Sequence, residues 1–134
     1  MNQMKIELHQ VSGSTSEASL RTHQVLIDRP HEKGGDDMGP MGGELFLASI
    51  GGCFMSNLLA ATKARNASIS EIRAEVMGTV AESPARFAAV ELHLTAKSDS
   101  EEFERLVEVA DRGCIMMNTL RAELDVRVRA AVTA

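Results

Sequence analysis

ELFLASIGGCFMSNLLAATKARN, residues 44–66, is the stretch on which the reading of the fold turns. From Leu45 to Thr62 it holds no charged residue, while Glu44 stands before this run and Lys63 and Arg65 after it. That placement suits a helix, whose N-terminus favours an acid and whose C-terminus favours a base. At 1.5 Å per residue it would run on the order of 35 Å, about the width of a small domain. A run of 18 uncharged residues also reaches the lower limit for a membrane span. Ser49, Ser56, Asn57, Thr62 and the Gly51-Gly52 pair weigh against a span. A helix apolar on nearly every side is instead expected to be buried in a protein core.

Outward from this helix, strands and turns alternate. Residues 4–10 (MKIELHQ) and 21–28 (RTHQVLID) read as strands, joined by the polar turn segment SGSTSEAS. Residues 29–43, RPHEKGGDDMGPMGG, are dense in Gly and Pro and form a loop of the length that usually carries function. After the helix, 69–82 and 87–96 alternate as a hairpin about Ser-Pro-Ala-Arg, with Val90, Leu92 and Leu94 on one face. Residues 100–111 predict a second helix, with Ser100 as N-cap and Phe103, Leu106, Val107 and Ala110 on its apolar side. Gly113 ends it, 114–120 is short and helical or irregular, and 123–132 (ELDVRVRAAV) closes as a strand. The order β, β, α, β, β, α, β describes an α+β fold, and 134 residues suit one domain, 1–134.

Composition narrows the function classes. Apolar residues make up 44% and charged residues 25%, which excludes a disordered chain. The net charge is −5 and no Lys/Arg run occurs, so neither nucleic acid nor an anionic membrane is an expected partner. Without Trp or Tyr there is no stacking platform for bases. The start, MNQMKIELHQ, lacks the basic and apolar regions of a signal peptide, and a cytoplasmic protein is expected. His23 and His31 lie near Asp28, Glu32, Asp36 and Asp37, but no HxH or HExxH spacing supports a metal site. The glycine pairs 34–35 and 42–43 lack GxGxxG and GK[ST], so no nucleotide cofactor is expected.

Two cysteines remain, Cys53 and Cys114, and neither belongs to a CxxC motif. The plain reading of each is a small apolar filler, since free Cys is among the most buried residue types. Context favours a redox thiol. Cys53 follows Gly51-Gly52, two glycines that each cost a helix about 1 kcal/mol and leave room for a close approach beside the sulfur. Cys114 follows Gly113 at a helix start, where backbone N–H groups favour a thiolate.

With the loop Gly34-Gly35-Asp36-Asp37-Met38-Gly39-Pro40, the run Glu44–Cys53 (ELFLASIGGC) and the segment Cys114–Leu120 (CIMMNTL), the chain resembles the OsmC/Ohr family of osmotically inducible and organic hydroperoxide resistance proteins. The resemblance spans essentially the whole chain. It implies an OsmC-like fold: a long central Cys-bearing helix against antiparallel sheet, in an intertwined homodimer. It also implies a thiol peroxidase without a cofactor. Cys53 would attack an organic hydroperoxide, its sulfenic acid would condense with Cys114, and a thiol reductant would reset the disulfide. In the peroxidase members an Arg holds the attacking thiol as thiolate and a Glu orients that Arg. The matching positions here are Arg29 or Arg21 for the arginine, with Glu44 as the carboxylate. Glu44 precedes Cys53 by nine residues, whereas the peroxidases keep their Glu ten before, a position held here by Gly43. This spacing resembles the OsmC-like branch, and it leaves open an alternative: a redox or ligand-binding protein whose apolar dimer pocket holds an apolar small molecule.

Overall fold

The computed structural model describes residues 1–133. The backbone gathers into two compact units, Met1–Ala48 and the remainder from Ser49. The first unit is an antiparallel meander of β1 (Glu7–Gln10), β2 (Ser16–Leu20) and β3 (His23–Ile27), in that order. Leu8 and Val25 both lie opposite Ala18, which is buried. The polar segment expected to be a turn, residues 12–19, thus holds all of β2 but Leu20. Its inward residue, Ala18, is small, and the Ser and Glu neighbours mask the alternation that marks a strand. The tight turn falls later, at Arg21-Thr22, where Arg21 takes a left-handed φ of 58°. Met4 and Ile6 lie outside β1 and are exposed, which shortens the first expected strand.

The glycine-rich loop is ordered by one carboxylate. Asp28 is buried and accepts hydrogen bonds from the Thr15 hydroxyl (2.7 Å) and the backbone N–H groups of Arg29 (2.7 Å), Met38 (3.2 Å) and Asp36 (3.3 Å). Burial alone would push this acid up, but these donors outweigh it and hold the carboxyl well below the usual carboxylate range. Gly35 is required where it stands: a Cβ there would lie 2.0 Å from the Arg29 carbonyl oxygen.

The long helix α1 spans Gly42–Ala64 and enters the second unit, two residues ahead of the expected frame at each end. Glu44 explains the early start. Its Oε1 accepts the Met41 N–H at 2.8 Å, a carboxylate reaching back to cap the first turn. In the second unit Phe54, Leu58 and Ala61 of α1 are buried. They pack with Leu106 and Ala110 of α2 (Ser100–Gly113) and with Cys114. The hairpin of β4 (Ser70–Ala81) and β5 (Arg86–Lys97) covers this cluster with Ile72, Leu92 and Leu94. Its register pairs Val76 with Leu92 and Ala74 with Leu94, so the period-2 alternation places one face inward as expected.

The N-cap of α2 is Asp99, one residue before the Ser100 expected from sequence; its side chain accepts from the N–H groups of Glu101 (3.0 Å) and Glu102 (3.2 Å). A short helix, α3 (Ile115–Leu120), follows Cys114. Residues 123–132, expected to be a strand, carry no regular structure and are exposed. Alternation alone cannot make a strand without a neighbour to satisfy its backbone, and among the described residues the β4–β5 sheet has two strands.

Candidate active site

Two sulfurs 61 residues apart in sequence meet in the second unit. Cys114 Sγ lies 3.5 Å from Cys53 Sγ, with its S–H directed at the Cys53 sulfur. Both are free thiols. A disulfide needs an S–S distance of about 2.05 Å, so closure asks for a movement of about 1.5 Å. Cys53 sits mid-helix on α1; Cys114 sits at the joint of α2 and α3, in extended backbone (φ −80°, ψ 115°) that turns its side chain off the α2 axis.

The two thiols are unequal. Cys114 is fully buried, whereas Cys53 is half-buried. Burial pushes the Cys114 thiol up, and the neighbouring Cys53 adds to the rise. Backbone N–H groups of Met117 and Met116 act the other way, as a helix start should, but burial wins. The expectation of a thiolate at Cys114 is therefore corrected: desolvation by distant core residues outweighs the local donors. The rise favours the protonated form of Cys114, whose S–H donates to Cys53.

The surroundings are apolar. Phe54, Leu58, Leu106 and Ala110 form the buried cluster, with Met116 and Met117 packed against it. The glycine pair before Cys53 divides its labour. Gly51 is buried, and a Cβ on it would come 2.7 Å from Val76 Cγ2, so it is the close approach of helix to hairpin. Gly52 is exposed and a Cβ there would meet nothing within 4 Å.

Three further residues singled out from sequence belong to the first unit. Glu44 is engaged by the Met41 N–H as a helix cap. Arg21 is exposed in the β2–β3 turn, and Arg29 is exposed at the head of the glycine-rich loop. Among the described residues none of the three forms an ion pair. No group of three or more His, Cys, Asp or Glu among the described residues is disposed to hold a metal. The sequence reading does not single out Asn57. Its Nδ2–H donates to the Ala110 carbonyl oxygen at 3.4 Å, and its signal is its place four residues after Cys53 on the same face of a nearly apolar helix.

Comparisons with known proteins agree with this fold. A family model described as OsmC-like protein matches residues 34–129. No curated protein sequence matches the chain. Among solved structures, an OsmC-like protein from Mycoplasma pneumoniae superposes with a TM-score of 0.77 at 17% identity, covering 90% of this chain and 88% of its own. An organic hydroperoxide resistance protein OsmC from Legionella pneumophila gives 0.66 at 20% identity, covering 95% of both chains. An organic hydroperoxide resistance protein from Elizabethkingia anophelis, with thiocyanate bound, gives 0.67 at 24% identity over 90% of both.

Proposed function

Because this chain belongs to the OsmC-like family, we propose that it is a cytoplasmic, thiol-dependent peroxidase that reduces organic hydroperoxides with Cys53 and Cys114. The observation that carries the reading is the asymmetric thiol pair: one half-buried sulfur and one fully buried, 3.5 Å apart. The Cys53 thiolate attacks the peroxide, the O–O bond breaks, and the alkoxide leaves as an alcohol after taking a proton. Cys53 becomes a sulfenic acid. The Cys114 sulfur then attacks it, an S–S bond forms and water departs. Two thiols and one hydroperoxide thus yield one disulfide, one alcohol and one water. A thiol reductant returns the pair to the dithiol state by exchange. The apolar setting of the thiol pair, with Met116 and Met117 packed against the buried cluster, favours an alkyl or aryl peroxide over hydrogen peroxide. Arg29, or else Arg21, is the candidate for holding Cys53 as thiolate, with Glu44 as its orienting partner. The active unit in this reading is a homodimer.

Glu44 supports a second reading. Its carboxylate caps α1 and pairs with no arginine among the described residues, which favours a redox or ligand-binding role with little peroxidase activity. Titration with cumene hydroperoxide separates the two. Consumption of both thiols with a Cys53–Cys114 disulfide is expected; intact thiols under excess peroxide would sink the peroxidase. We expect Cys53→Ser to consume no peroxide, and Cys114→Ser to react once and then accept a dimedone label. The reverse pattern would make Cys114 the attacking sulfur.

A further inference from the structure

Cys53 and Asn57 stand one turn apart on α1, and Ala110 and Cys114 stand four residues apart at the end of α2. Two cross-links therefore run in parallel between these elements: the Asn57–Ala110 hydrogen bond (3.4 Å) and the Cys53–Cys114 sulfur contact (3.5 Å). We propose that Asn57 is a positioning residue that holds Cys114 within reach of Cys53 by capping the Ala110 carbonyl.

The last hydrogen bonds of α2 depart from the helical pattern. Continuation of the helix would send the Cys114 N–H to the Ala110 oxygen, four residues back. The Cys114 N–H instead bonds the Asp111 oxygen at 3.2 Å, which tightens the last turn and releases Cys114 into extended backbone. That release would leave the carbonyl of the buried Ala110 short of a donor, and an unmet buried acceptor is costly. The Asn57 amide supplies one. It also lies beside Gly113, where a Cβ would sit 3.7 Å from Asn57 Nδ2, in ordinary contact. The amide thus meets α2 on both sides of the residues that set the departure of the chain at Cys114. Losing the donor restores the pull of Ala110 on the Cys114 N–H, and with it a helical course that carries the sulfur away from Cys53.

This role deepens the peroxidase reading, yet its test does not depend on peroxide. Equilibration with glutathione measures the pair directly: two protein thiols and one glutathione disulfide exchange to one protein disulfide and two glutathiones. The purified full chain and its Asn57→Asp and Asn57→Ala variants are equilibrated over a range of glutathione ratios. The Cys53–Cys114 disulfide is then quantified by mass spectrometry. We expect both variants to need a redox buffer about tenfold more oxidising for half-formation. Asn57→Asp matters most, because it keeps the volume of the side chain but offers the Ala110 carbonyl an acceptor in place of a donor. Midpoints within twofold of the parent in both variants would overturn the proposal, as would Asn57→Asp alone matching the parent, since volume and not donation would then be the cause. A parent chain that forms no such disulfide at any ratio would overturn the thiol-pair reading as well; a parent disulfide with unmoved variants overturns Asn57 alone.

Discussion

Asp28 shows how one residue can organise a segment that sequence leaves as an undifferentiated loop. Four donors converge on its carboxylate, and they hold the acid ionised in the fold far below its ordinary range. A depressed pKa contributes stability that is fully present above the unfolded value, near 3.9, and is lost as pH falls toward the folded value. Asp28→Asn replaces an acceptor by an amide that faces N–H donors. We expect it to lower the thermal midpoint at pH 7, and the gap to the parent to narrow progressively below pH 4. A constant gap from pH 7 to pH 2 would show that the charge is not what orders the loop. The same competition runs the other way at Cys114, where burial keeps the proton on sulfur despite a helix start beside it.

At the scale of elements, α2 states the balance between local signal and packing. Leu106 and Ala110 are buried on one side while Glu104, Arg105 and Glu108 face solvent, so its amphipathic period was readable from sequence alone. Burying Leu106 contributes about 1.5–3 kcal/mol. Its start was less readable: Asp99 and Ser100 are adjacent and both are good N-caps. Geometry decides for Asp99, whose Oδ1 accepts two backbone N–H groups. We expect Asp99→Ala to lower stability by about 1 kcal/mol in urea unfolding and Ser100→Ala to change it by a few tenths at most. Equal losses from the two would contradict the cap.

For the whole molecule, the proposed homodimer accounts for apolar surface that one chain leaves open. On α1 the exposed Gly52, Ser56 and Ala60 follow one another at helical spacing, with Leu59 alongside. Leu124, Val126 and Val128 are exposed in the unpaired C-terminal segment, which a second chain could pair as a strand. We expect light scattering to give a dimer at micromolar concentration. Gly52→Leu should shift it toward monomer, since a Cβ at this position meets nothing within 4 Å in its own chain. A folded monomer of the parent protein would contradict the dimer; a dimer unmoved by Gly52→Leu would place the contact elsewhere. Local pattern in the sequence encodes the uncharged helix about Cys53, the β4–β5 hairpin, the apolar side of α2 and the glycine-rich loop. It could not encode the strand Ser16–Leu20, whose small inward Ala18 gives no hydrophobic signal until β1 and β3 flank it. Nor could it turn 123–132 into a strand, because a strand is a property of two backbones. Only the tertiary structure set Cys114 Sγ 3.5 Å from Cys53 Sγ and buried the one more than the other. Distance and desolvation at a sulfur arise from groups far away along the chain, and no local pattern carries them.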